Sequence, residues 1–461
     1  MTGTVPARLS AQTTNTLDAA SAARVDEAVQ QVIADTGIPS ASVGLVEHGQ
    51  IVYLNAYGKA RLEPPMVATT EMQYSIGSVS KQFTAALILM LVEDGKMTLD
   101  DPIGKYLPHL TRANEVTVRE VLSMTAGYQD FWPEDYVMTT MMVPTMAQHI
   151  LDVWGSKPLD FDPGTQWQYS NTNYVIAGRI AEMVGGKPLV EQLRERIFDP
   201  LHMTGVRDQD ASHLPPSDPT GYYQHALGPL RAAPLEGTGW MFAAGELAMS
   251  PHDLALWNIS MMNRSLMKPA SYDAMFTDVK LKNGKPTGYG LGVQVSERDG
   301  QHIISHSGEV SGFVSQNTIY PDSKAAVTVL TNIDASSAAA TIARAIAPLV
   351  LSPGGRAGKA AQAAEARALQ IFTGLQNGEL DHSQLTTLCN NYFTSEAIQD
   401  FATSLKPLGT PQSFTQVAEE SRGGMVFRVY RAQFSNRRLT VTTYEEPDGK
   451  LEQYLVLPAA D

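Results

Sequence analysis

Ser78 and Lys81 stand three residues apart in Tyr74-Ser75-Ile76-Gly77-Ser78-Val79-Ser80-Lys81-Gln82-Phe83-Thr84, and the apolar run Ala85-Ala86-Leu87-Ile88-Leu89-Met90-Leu91-Val92 follows at once. Residues at that spacing share one face of a helix, so the lysine amine can lie beside the serine hydroxyl. A neutral amine there can take the hydroxyl proton, and the N–H groups at the head of the helix favour an oxyanion forming next to the serine. A capping serine followed by a solvated lysine gives the same four-residue pattern. The apolar continuation weighs against that plainer reading, because a lysine at the head of a buried helix must be paired or neutralised.

Two other stretches carry polar groups suited to such a site. Tyr169-Ser170-Asn171 stands just before the helical pattern of 175–184, where the same residues are as readily turn chemistry and a helix cap. Ser305-His306-Ser307-Gly308-Glu309-Val310-Ser311-Gly312-Phe313 lies at a strand edge. Gly308 would let the backbone approach a substrate, and the N–H that follows would complete an oxyanion hole. His306 taken alone is more often a satisfied polar residue. Phe131-Trp132-Pro133, after the loop Thr125-Ala126-Gly127-Tyr128, offers aromatic walls for a pocket, although core packing is the commoner use of any one aromatic.

The elements that must position these groups follow from periodicity. A helix is expected over 19–35, stopped by Gly37, and a hairpin joins 40–46 to 51–57 through Glu47-His48-Gly49-Gln50. Gly95 ends the Ser78 helix, and further helices fall at 117–124, 175–184, 251–262 and 336–351. Residues 202–234, rich in Pro, Gly and Asp, read as a long surface excursion, and strands are expected at 289–295, 302–305, 313–320 and 325–331. After the break Ser352-Pro353-Gly354-Gly355, with the domain boundary in 356–361, helices at 364–376, 383–392 and 396–404 precede strands at 413–418, 425–434, 439–444 and 451–457. The fold class is therefore α/β (α+β): a loose arm 1–16, a large domain 17–352 with an antiparallel sheet flanked by helices and a helix-rich middle, and a small α+β domain 362–461.

With 461 residues the chain is long enough for two or three domains, and 43% hydrophobic with 18% charged residues is ordinary for a globular protein. A formal charge of -14 argues against nucleic acid and against an anionic membrane surface, since no basic stripe exists to meet phosphates. The single cysteine, Cys389, excludes an internal disulfide and a cysteine-based zinc site, and the ten histidines show no metal-ligand spacing, so neither metal nor cofactor is expected. The run 85–92 is far shorter than the roughly 20 residues of a membrane span. Met1-Thr2-Gly3-Thr4-Val5-Pro6 lacks the basic and apolar segments of a signal peptide.

Taken together and in this order, Ser-x-x-Lys, Tyr-Ser-Asn and His-Ser-Gly resemble the serine β-lactamase fold, in the branch that holds class C β-lactamases, DD-carboxypeptidases, D-aminopeptidases and related esterases. The resemblance covers roughly 19–351 and rests on Gly77-Ser78-Val79-Ser80-Lys81, Leu122-Ser123-Met124-Thr125-Ala126-Gly127, Tyr169-Ser170-Asn171 and His306-Ser307-Gly308. It implies that Ser78 is acylated, that Lys81 and Tyr169 share the general-base work, and that Asn171 orients the substrate amide. It further implies an oxyanion hole from the N–H groups of Ser78 and Glu309, with His306, Ser307, Gly308 and Glu309 on the substrate-binding edge. His306 stands where class C β-lactamases and many penicillin-binding proteins carry lysine, and where several peptidases and esterases of the branch carry histidine.

The implied activity is a serine hydrolase cleaving small amides or esters, such as D-amino-acid peptides or carboxylic esters, through an acyl-enzyme. The alternatives are a class C-type β-lactamase and a penicillin-binding or sensor protein without turnover. The resemblance favours a periplasmic or secreted location. The C-terminal domain lies outside it and is weakly similar to nuclear-transport-factor-2-like modules. That domain is expected to be dispensable for the chemistry and to offer a surface for forming a homo-oligomer.

Overall fold

The computed structural model describes residues 15–226, 228–298, 300–351, 356–422, 424–435 and 437–458. The chain divides into two compact units: the first runs to Glu297 and resumes from His302 as far as the break at 352, and the second takes 298–301 and the chain beyond that break. The break 352–355 and all but two residues of the expected arm lie outside the described residues. Those two are tied down: Thr16 N donates to Val52 O at 2.9 Å, and Asn15 Oδ1 accepts from Leu54 N at 2.9 Å.

The first unit is built on a seven-stranded antiparallel sheet. Its strands are β1 (Ser40–Glu47), β2 (Gln50–Arg61), β3 (Met66–Val67), β4 (Gln294–Arg298), β5 (Gln301–Val310), β6 (Phe313–Tyr320) and β7 (Ala325–Thr331). Their spatial order is β3-β2-β1-β7-β6-β5-β4. The β1–β2 turn is the two residues His48 and Gly49, both at positive φ, the geometry whose twist matches paired strands. Strand β1 is buried almost throughout, as a strand covered on both faces must be, and its partner β7 is buried end to end.

Helices α1 (Ala19–Thr36), α4 (Pro251–Asn263) and α5 (Ala338–Ile346) pack on that sheet, and α3 (Asn171–Gly185) packs on α2 (Lys81–Glu93). Asp18 caps the first turn of α1 by accepting from Ala20 N and Ser21 N, and Gly37 ends it in the left-handed conformation. Val25, Val29 and Val32 of α1 share a core with Ile342 and Ile346 of α5 and with Val43, Leu45, Val327 and Val329 of the sheet. A second, larger core holds α2, α3 and α4. Every residue of α2 from Lys81 to Leu91 is buried, which is why its sequence is apolar around the whole helix rather than along one stripe.

The second unit consists of α6 (Arg356–Gln376), α7 (Thr387–Tyr392) and α8 (Ser395–Leu405), followed by the antiparallel meander β8 (Ser413–Arg422), β9 (Met425–Gln433), β10 (Arg438–Glu445) and β11 (Leu451–Pro458). Phe372, Leu375, Tyr430, Val441 and Tyr454 form its own core. The expected boundary 356–361 is instead the start of α6. Its alanines and small polar residues suit a helix as well as a linker, and composition does not separate the two. Among the described residues no helix is long and apolar enough to cross a membrane.

Candidate active site

Ser78 sits on a short 3-10 turn, Gly77–Ser80, that runs directly into α2. Two glycines make room for it. Gly77 has φ +51, and a Cβ there would fall 2.7 Å from Glu309 N; a Cβ on Gly308 would fall 1.8 Å from Ile76 O. The backbone of β5 therefore lies against the nucleophile turn, and Ser315 Oγ of the next strand donates to Ile76 O at 2.8 Å. Gly308 serves this contact. The close approach is to the protein's own backbone. Glu309, the next residue, brings its amide beside Gly77 and lines the cleft with Ser307 and His306.

Lys81 is fully buried at the head of α2, and three oxygens surround its amine. Nζ donates to Ser78 Oγ at 2.9 Å, to Asn171 Oδ1 at 2.8 Å and to Ala244 O at 2.7 Å. Burial lowers the amine's proton affinity to about 7, against an opposing pull from the Asp130 carboxylate. Tyr169 lies beside Lys81. Its ring centroid lies 5.0 Å from Nζ, and its buried hydroxyl makes no hydrogen bond, although Ser78 is near enough to ease its ionisation slightly. Burial outweighs that help and pushes the phenol well above its ordinary range, so it is protonated.

Asn171 opens α3, and Ser170 before it makes no capping bond, so the plain helix-cap reading of Tyr-Ser-Asn fails here. The Asn171 amide is committed within the protein. Beyond the bond to Lys81, its Nδ2 donates to Asp130 Oδ2 at 3.2 Å and to Trp132 O at 3.3 Å. Its backbone N–H donates to Asp130 Oδ1 at 2.9 Å, which also accepts from Trp132 N at 3.1 Å.

His306 is buried and neutral. Its Nδ1 donates to Ser307 O at 2.5 Å, so Nε2 accepts from the Tyr289 hydroxyl at 2.9 Å. Burial and the nearby Lys81 charge push the imidazolium down to about 3, only partly countered by the Ser307 carbonyl.

Sequence reasoning passed over two parts of the site. One is Asp130, which had only its aromatic neighbours to mark it. The other is the segment 239–247, which straps the nucleophile turn. Ala243 O accepts from Thr84 Oγ1 at 2.9 Å, Leu247 N donates to Ser80 Oγ at 3.2 Å, and Leu247 O accepts from Ile76 N at 3.0 Å. Buried Asp210 anchors the segment by accepting from Gly239 N at 2.8 Å and Met241 N at 3.1 Å. Residues 202–234 are thus more than a surface excursion, because they deliver this carboxylate into the interior.

The cleft over Ser78 has a volume of about 390 Å³. Trp132, Tyr136, Trp167 and Trp240 give it aromatic walls, and Asp130, Glu134, Asp135, Glu309 and Asp334 give it carboxylates. Among the described residues, no arginine lines it and no lysine except Lys81 at its floor reaches it.

This fold and this nucleophile turn agree with the comparison to known families: the chain belongs to the Beta-lactamase family, whose model matches residues 25–351. It is similar to the protein flp of Staphylococcus aureus (strain NCTC 8325 / PS 47), at 24% identity over 317 residues, 68% of this chain and 63% of that protein. It is also similar to the D-aminopeptidase of Brucella canis, at 27% identity over 320 residues, 68% of this chain and 60% of that protein. The match thus spans less than two thirds of the length of these curated relatives. Among solved structures, the D-amino acid amidase from Ochrobactrum anthropi SV3 with D-phenylalanine shares the fold at a TM-score of 0.62 and 24% identity, over 71% of this chain and 98% of that one. The octameric penicillin-binding protein homologue from Pyrococcus abyssi reaches a TM-score of 0.63 at 21% identity, over 95% of this chain and 99% of that one.

Proposed function

We propose that this chain is a serine hydrolase that cleaves small amides or esters through an acyl-enzyme on Ser78. The observation that carries the reading is the Lys81 amine, fully buried and 2.9 Å from Ser78 Oγ, with a proton affinity lowered to about 7. At neutral pH about half of such amines lack the extra proton and have a lone pair for the serine hydroxyl.

In the first step Lys81 takes the Ser78 proton while Oγ bonds to the substrate carbonyl carbon. The N–H groups of Ser78 and Glu309 face the oxygen that gains the charge. The amine or alcohol then leaves, taking the proton that Lys81 gained from Ser78. A water repeats the attack on the ester and frees Ser78.

The relatives named a D-aminopeptidase and a D-amino acid amidase support amides of D-amino acids as the substrate class. The cleft supports substrates without an essential carboxylate, because His306 is neutral and five acidic side chains line the walls. Both features weigh against a class C-type β-lactamase.

The test is a panel of D-alanine amides, p-nitrophenyl esters of short acids and a chromogenic cephalosporin, run with Ser78→Ala beside the wild type. Amides and esters are expected to be turned over in preference to the cephalosporin. Ser78→Ala is expected to lose all turnover at an unchanged melting temperature, and intact mass should show an acyl adduct only in the wild type. Turnover by Ser78→Ala would sink the proposal, and an adduct that never hydrolyses would favour a sensor instead.

A further inference from the structure

Lys81 Nζ has three tetrahedral directions besides its bond to Cε, and three oxygens occupy them: Asn171 Oδ1, Ala244 O and Ser78 Oγ. As an ammonium it donates to all three. As a neutral amine it has two N–H groups and one lone pair, and which oxygen the lone pair faces decides whether it can act as a base. Ala244 O is a backbone carbonyl and only accepts. Ser78 Oγ can donate or accept. The outcome therefore hangs on Asn171, whose side-chain amide presents either an acceptor or a donor according to how it is turned.

We propose that Asp130 is a positioning residue that holds the Asn171 amide with its oxygen toward Lys81, so that both N–H groups of the neutral amine are engaged and its lone pair is left to the Ser78 hydroxyl. The proposal rests on the serine-hydrolase reading of the site. Its support is geometric. A carboxylate only accepts, so Asp130 Oδ2, 3.2 Å from Asn171 Nδ2, requires the NH₂ side of that amide to face it. Asp130 Oδ1 meanwhile takes the backbone N–H groups of Asn171 and Trp132, which fixes the carboxylate on the first residue of α3 and on the cleft wall. Trp132 O, 3.3 Å from the same Nδ2, reinforces the orientation.

Asp130 has a second effect through space. Its charge opposes the burial that strips Lys81 of its proton, so it keeps the amine basic enough to accept one. The carboxylate itself is raised above its usual range by burial, against the pull of its N–H donors and of Lys81.

The test compares Asp130→Asn, Asn171→Ala and the double variant with wild type, using p-nitrophenyl acetate across pH 5 to 10 with melting curves. Asp130→Asn keeps an acceptor for the two backbone N–H groups but turns an NH₂ toward that of Asn171, so one of the two amides must flip. The expected result for this variant is a plateau kcat/KM lowered about tenfold or more, with the acid limb moved down by about one pH unit. In the Asn171→Ala background the same change should cost the plateau little more, because the partner it acts through is gone. A merely structural role would lower the melting temperature without moving the acid limb.

A folded Asp130→Asn enzyme with the wild-type plateau and limb overturns the proposal, and so do fully additive losses in the double variant. If Asp130→Asn does not fold, Asp130→Glu serves: it keeps the charge but displaces the carboxylate, so the limb should stay while the plateau falls, and a wild-type plateau overturns the proposal. Failure here is distinct from failure of the hydrolase reading, which shows instead as p-nitrophenol release by Ser78→Ala.

Discussion

At the scale of single residues, the site depends on how burial moves protons. Lys81 ends near 7 while Tyr169 is driven up, so the two groups that the resemblance pairs as bases are pushed apart. At neutral pH Lys81 can therefore offer a lone pair, while Tyr169 keeps its proton. With the amine titrating near 7, the sign of the pH dependence follows. Below 7 the amine is an ammonium without a lone pair, and kcat/KM should fall about tenfold per pH unit. Above about 8 it should level off. Lys81→Arg should be inactive throughout, because a guanidinium does not give up its proton. The check is a pH profile on a neutral ester, and a rate that stays flat down to pH 5 would remove Lys81 from the role. The same shift makes a stability statement. Between 7 and the ordinary lysine value of 10.5 the unfolded chain holds a proton that the folded one lacks, so this group's contribution to stability rises with pH across that window.

At the scale of elements, backbone closes on the nucleophile turn from both sides. Strand β5 reaches it through Gly308 and Glu309, and the 239–247 segment reaches it through Ala244 and Leu247. A methyl group on Gly308 would overlap Ile76 O, and neither backbone can retreat without breaking the sheet or the turn. Gly308→Ala is therefore expected to cost about 2 kcal/mol or more, in the range of an overpacked core. It should lower the acylation rate by displacing the Glu309 amide from Gly77. Denaturant melts and single-turnover kinetics together check this, and an alanine variant with wild-type stability and acylation would show that the contact has slack.

At the scale of the whole molecule, every residue lining the cleft belongs to the first unit, and the family match ends at 351. The second unit has its own core of Phe372, Tyr430 and Tyr454 and its own sheet. We therefore expect a chain ending at Leu351 to fold and to be acylated at Ser78, with an intact-mass shift after brief exposure to p-nitrophenyl acetate as the readout. A truncated chain that is folded by circular dichroism yet never acylated would mean that the second unit completes the site.

What the sequence determined by itself is local. The spacing of Ser78 and Lys81, the helix period of α1, the apolar run of α2, the His48-Gly49 turn and the strand alternation follow from neighbours a few residues apart, and those interactions are written in residue order. What only the tertiary structure decided is which polar groups meet. Asp130 and Asn171 are 41 residues apart, and Lys81 and Ala244 are 163 apart. Nothing in periodicity or composition records that a carboxylate from one loop turns the amide on another helix toward the amine on a third element. The role of Gly308 was hidden for the same reason. A glycine announces that something comes close, but the sequence does not say whether that is a substrate or the carbonyl of Ile76. That His306 is neutral at physiological pH follows from its residue type, but how firmly it is held neutral was beyond local reading, because an imidazole titrates by its surroundings. Those surroundings, Tyr289 and Lys81, exist only once the sheet and α2 have packed.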